Sequence, residues 1–145
     1  MTEPAPPRLI YLLTTAQRRL EAAIEREGKG GLTLSRIGLL LALPPEGGVP
    51  MSALARALDL RAPALSGLVD RMAKSGLVRR LPDPADGRAS LVALTGEGRV
   101  LRSEAVARTK QVNAALCEGF SADEIAVVER WLEAVRQRQA PPPAR

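Results

Sequence analysis

The stretch Leu60–Gly98, LRAPALSGLVDRMAKSGLVRRLPDPADGRASLVALTGEG, decides how the rest of the chain is read. Leu65, Leu68, Val69 and Met72 fall at i, i+3, i+4 and i+7, the spacing of one apolar helix face. Pro63 suits a first helical turn, where no amide donor is needed, so a helix is expected from Ala62 to about Ser75. Gly76 stops it. Leu77–Leu81 and Ser90–Leu94 then read as strands, with Asp86-Gly87 between them as a tight-turn signal. A short helix followed at once by a β-hairpin is the layout of a recognition helix and a wing.

The face opposite the apolar stripe carries Ala62, Pro63, Ser66, Gly67, Asp70 and Arg71. Small groups let a backbone approach the floor of a DNA major groove, which admits one helix and is read by its N-terminal residues. On that geometry Ser66 bonds a base or phosphate, Pro63 touches a thymine methyl, and Arg71 reaches a phosphate or a guanine edge. Arg61 and Arg79 add positive charge at the two ends of the unit. Arg71 is the one residue of the face able to make a bidentate base contact, so shape readout and the wing are expected to carry much of the specificity. Arg88, just past Asp86-Gly87, projects from the hairpin tip, where an arginine fits a narrow, electronegative minor groove. Asp70 and Asp86 are expected to orient neighbouring arginines, because a carboxylate beside phosphate is repelled. The plainer alternatives are a helix face packed on another protein element and a merely solvated loop arginine.

Helical spacing continues on both sides. Leu9, Ile10, Leu12, Leu13, Ala16, Leu20, Ala23 and Ile24 make a first helix, ended by Gly28–Gly31. Thr33 can cap a second, which runs through Ile37, Leu40 and Leu41 to Pro44-Pro45. Gly47–Pro50 reads as a loop with room for a short strand contact, and Ser52 as the cap of a third helix. Thr95 caps a long helix to about Glu118, and Ser121–Glu124 is a capping box for a last helix through Ile125, Val128, Trp131, Leu132 and Val135.

With 145 residues and a formal charge of +5, the chain is long enough for a core and suited to a polyanionic partner. Cys117 is the only cysteine and histidine is absent, so neither a disulfide nor a transition-metal site is expected, and no cofactor. Cys117 itself reads as an inert, small apolar residue. There is no Cys/His pair and no phosphate-cradling glycine loop, so no enzyme is expected. No apolar run spans a bilayer and the N-terminus lacks the layout of a signal peptide, so no membrane partner and a cytoplasmic location are expected.

LSGLVDRMAKSGLVRRLPDPADGRASLVALTGEG resembles the winged helix-turn-helix core of the MarR family of bacterial transcription regulators. The pattern D-x-R-x-x-x-V-x-L-T-x-x-G is present as Asp86, Arg88, Val92, Leu94, Thr95 and Gly98. The order of flanking helices agrees, so the likeness covers nearly the whole chain, 1–145. It implies a mostly α fold with a small β wing (α+β): a DNA-binding lobe at 33–94 and a helical dimerisation region at 8–30 and 95–139. It also implies a repressor acting as a homodimer on a pseudo-palindromic double-stranded operator, its recognition helices about 34 Å apart. Leu9, Leu12 and Leu13, with Leu116, Ile125, Val128, Trp131 and Leu132, supply the apolar faces for pairing. The chain departs from common members at Gly67, where a longer polar or basic residue often sits.

Such regulators often answer to a small aromatic or anionic effector held in a cleft. Tyr11, Arg18, Ile37 and Leu40 are placed to line one, with core or solvated surface as the plainer position for each. Two other readings stay open: a weakly specific architectural DNA-binding protein, and a winged-helix module that binds protein instead of DNA.

Overall fold

The computed structural model describes residues 8–27 and 31–139. In chain order these form α1 (Leu9–Glu27), α2 (Leu34–Ala42), β1 (Gly48–Pro50), α3 (Met51–Leu58), α4 (Ala62–Lys74), β2 (Val78–Pro82), β3 (Ser90–Leu94), α5 (Gly96–Leu116) and α6 (Ala122–Arg138). The chain divides into two compact units, residues 1–106 and 107–145. The first contains the whole 33–94 lobe and the opening turns of α5. Of the glycine stop expected after α1, residues 28–30 lie outside the described residues, as do the proline-rich ends, 1–7 and 140–145.

In the first unit the expected stripes become the core. Leu39, Leu40, Leu43, Leu54, Leu65, Val69, Met72 and Val92 are fully buried. Leu65, Leu68, Val69 and Met72 are the buried side of α4, as their spacing requires. Thr33 caps α2 by accepting from the Arg36 amide at 3.3 Å. Ser52 does not cap α3. The N-cap lies two residues earlier, at Pro50, because β1 runs straight into the helix through the proline's fixed φ. Its C-cap is Asp59, in the left-handed region at φ 52°, a conformation aspartate tolerates better than most side chains.

The sheet is antiparallel in the order β1-β3-β2. Val49 pairs with Val92, Leu81 with Leu91, and the hairpin closes at Pro82 opposite Ser90. The wing loop is residues 83–89, and Asp86-Gly87 opens a tight turn within it, the Ala89 amide donating to the Asp86 carbonyl at 2.9 Å. Within the loop the Asp83 side chain accepts from the Ala85 amide at 2.8 Å and that of Asp86 from the Arg88 amide at 3.0 Å. These side chains fold the loop on themselves, so Gly87 keeps a φ that any residue adopts.

Where β3 meets α5, the L-T-x-x-G segment forms a tight joint. The Thr95 hydroxyl donates to the Gly76 carbonyl at 2.6 Å and accepts from the Gly98 amide at 3.0 Å. The Thr95 amide donates to the Leu77 carbonyl at 3.1 Å. Gly98 is required here: a Cβ on it would lie 1.9 Å from the Leu77 carbonyl oxygen.

In the second unit α6 opens with the expected capping box. The Ser121 hydroxyl accepts from the Glu124 amide at 3.3 Å, and the Glu124 carboxylate accepts from the Ser121 amide at 2.8 Å. That backbone bond, and then the Ser121 hydroxyl, hold the Glu124 carboxyl below the ordinary carboxylate range. No helix of the described residues is long and apolar enough to cross a membrane.

Candidate nucleic-acid interface

Helix α4 presents Ala62, Pro63, Asp70, Arg71 and Lys74 to solvent, with Ser66 and Gly67 half-buried between them. Arg61 is exposed as the N-cap and makes no capping bond with its side chain, which leaves its charge at the helix start. The helix interior is occupied by the apolar stripe, so every polar side chain of α4 lies off the core.

The Arg71 guanidinium folds back along the helix. A Cβ at Gly67 would meet its Nη1 at 3.3 Å. Helical side chains lean towards the N-terminus, so a long residue covers the turn preceding it. Here Arg71 covers position 67, and glycine gives it the space. The charge that a longer side chain at 67 would bring is thus supplied from one turn later.

Strand β2 comes directly beside this face. Successive side chains of a strand point to opposite sides. Val78 is buried against the core and Arg80 shares its side, while Arg79 points the other way and is exposed. Arg80 is the residue that reaches α4. Its Nη2 donates to the Asp70 carboxylate at 2.8 Å and to the Ser66 hydroxyl at 3.2 Å. Their side chains are 35% (Arg80) and 60% (Asp70) exposed, and an ion pair so wet contributes at most about 1 kcal/mol. Its effect is geometric: it fixes the wing's root against the outer face of the helix. The arginine that Asp70 holds is Arg80, which is not among the residues singled out from the sequence.

Arg88 is exposed on the wing loop, and its amide is tied to the Asp86 carboxylate. Asp86 therefore sets the backbone that carries Arg88. A further basic residue, Arg36 on α2, is spent internally: it donates to the Gly31 carbonyl at 2.8 Å and to the Ser75 hydroxyl at 3.1 Å, bracing the end of α4.

Ile37 and Leu40, two of the four residues placed to line an effector cleft, are core residues at 6% and 0% exposure. The other two, Tyr11 and Arg18, both line an open groove of about 420 Å³ on α1, with Leu12, Thr15 and Arg19. The Arg8 guanidinium sits 4.8 Å from the centre of the Tyr11 ring.

Several large apolar side chains of the described residues are exposed. On α1 these are Leu9, Ile10, Tyr11, Leu12 and Leu13, with Ile10 84% exposed. In the second unit Leu116, Phe120, Val127, Val128 and Leu132 are exposed, while Ile125, Trp131 and Cys117 are half-buried.

A helix with small outer residues, a second helix behind it and a basic β-hairpin pinned to its side define a winged helix-turn-helix protein. Comparison with known proteins agrees. A model described as the MarR family matches residues 30–89. The HTH-type transcriptional regulator YsmB of Bacillus subtilis is 37% identical over 65 residues, which is 45% of this chain and 44% of that relative's length. The multiple antibiotic resistance protein MarR of Salmonella typhimurium is 28% identical over 129 residues, 88% of each chain. A crystal structure of mutant MarR from E. coli complexed with operator DNA superposes with a TM-score of 0.75 at 26% identity, covering 88% of this chain and 91% of that one. The chain resembles the MarR family over residues 30–89, and relatives such as YsmB are named as transcriptional regulators.

Proposed function

We propose that the protein binds DNA as a homodimer on a pseudo-palindromic operator and represses transcription from it. In this reading α4 enters the major groove with Arg61, Pro63, Ser66, Gly67 and Arg71 towards the bases and backbone. Arg88 enters the adjacent minor groove, and Arg79 meets phosphate. The observation that carries it is the Arg80 bridge from β2 to Ser66 and Asp70, which presents helix and wing together at one surface. The operator-bound MarR structure, similar across most of the chain, supports operator DNA as the partner.

Pairing is supported by the bare apolar run of α1 and by the exposed valines and leucines of the second unit. Contiguous apolar patches of more than a few hundred Å² are rare on monomers and mark interfaces. A second copy of the chain is the partner the family implies. The α1 groove, with one aromatic ring and the cations Arg18 and Arg19, suits a small aromatic anion as effector. Binding there would shift the dimer away from the operator-competent spacing.

The test is selection of genomic fragments by the purified protein at moderate salt, followed by sequencing. One enriched inverted repeat with half-sites about 10 base pairs apart is expected. Strong but motif-free recovery that collapses with added salt would replace the operator by architectural binding, a reading favoured by the scarcity of bidentate base readers on α4. No recovery at all would leave a protein-binding module.

A further inference from the structure

The Arg80 bridge does more than hold the wing. Helical serines and threonines commonly turn the hydroxyl back onto the carbonyl four residues earlier. Thr14, Thr15 and Ser103 do so here, at 2.8, 2.8 and 3.2 Å. Ser66, in the middle of α4, makes no such bond among the described residues. Its oxygen instead accepts from Arg80 Nη2 at 3.2 Å. The same nitrogen gives its second hydrogen to Asp70, one helical turn along, at 2.8 Å. Both hydrogens of that nitrogen are thereby committed, and Asp70 fixes where the one aimed at Ser66 points.

A guanidinium has donors and no acceptor, whereas a hydroxyl has one donor and two lone pairs. Arg80 therefore fills one lone pair of Ser66 and offers nothing to its proton. The proton is left to point away from Arg80, out of the helix face. We propose that Arg80 is a positioning residue that makes Ser66 a hydrogen-bond donor towards DNA. Ser66 then selects a base-edge acceptor, such as guanine N7 or O6 or thymine O4, over the amino group of cytosine. This rests on the operator-binding reading above, and it assigns a role in specificity to a residue whose charge alone would suggest a phosphate contact.

The experiment is selection from a random-sequence duplex library by the full-length protein, with wild type, Ser66→Ala, Arg80→Met and the double variant compared. Thermal melting confirms that each folds. The expected result is one base pair per half-site at which Ser66→Ala and Arg80→Met each lower discrimination by about three- to tenfold, with the double variant no worse than either. The slope of log affinity against log salt should be the same for Arg80→Met as for wild type. Asp70→Ala, which leaves Arg80 present but unanchored, should broaden the same base pair, and it stands in if Arg80→Met does not fold.

A salt slope lower by about one in Arg80→Met, with an unchanged motif, would make Arg80 a phosphate contact and overturn the proposal. A Ser66→Ala variant weaker on every sequence alike would overturn it as well. A wild-type selection that yields no motif would remove the operator reading and this inference together. A wild-type motif that none of the variants alters would remove this inference alone.

Discussion

Arg88 stands on a loop shaped by carboxylates: Asp83 and Asp86 each capture an amide two residues on, and the second of these amides is Arg88's own. The side chain is exposed and takes no part in packing. Arg88→Ala is therefore expected to leave thermal unfolding unchanged and to weaken binding to the selected operator by about 1–3 kcal/mol, measured by fluorescence anisotropy. Equal affinity for wild type and variant would take the wing out of the minor groove. Much at this scale was legible in the chain itself. The buried stripe of α4, the Thr33 cap and the exposed wing arginine follow from spacing and turn chemistry alone. The choice between Arg79 and Arg80 was not legible, because one residue of register decides which side of a strand each arginine faces. A strand begun at Leu77 or at Val78 reads alike in sequence. Only the pairing of Val78 with Leu94 turns Arg80 towards the helix. The fold-back of Arg71 over Gly67 was hidden for a similar reason, since a glycine in isolation says nothing about which neighbour uses its space.

The elements were read to within a residue or two where apolar periodicity is strong, as in α2, α4 and α6. They were misread where a backbone constraint outweighs the side-chain signal. Pro50 starts α3 in place of Ser52, its fixed φ carrying β1 straight into the helix. The joint between β3 and α5 shows what the L-T-x-x-G pattern is for. Threonine ties two segments through one hydroxyl, and glycine lets the helix backbone touch the Leu77 carbonyl. Because the obstacle is backbone and not a flexible side chain, Gly98→Ala must push α5 away from the turn after α4. We expect it to cost about 1–3 kcal/mol, read as a lower urea midpoint with an unchanged m-value. A midpoint equal to wild type would show that this contact relaxes freely.

At the scale of the molecule, the first unit closes its own core, whereas α1 leaves its N-terminal apolar residues exposed, and the second unit has no fully buried side chain among its described residues. In the proposed homodimer a chain built this way would gain most of its remaining apolar burial from another copy. Leu12→Asp and Leu132→Asp, one on each face, are each expected to weaken self-association by at least about 30-fold in sedimentation equilibrium. The variant lobe should keep its helical circular dichroism. A dimer as tight as wild type in both variants would place the interface elsewhere. The Thr95 joint then has a mechanical consequence. It rivets the start of α5 to the end of α4 and the root of the wing through atoms of Gly76, Leu77 and Gly98. At that point there is no elbow: a push on the first turn of α5 is delivered whole to α4 and the wing. In the proposed homodimer two such lobes would behave like caliper jaws, stiff in themselves and adjustable only in the gap between them.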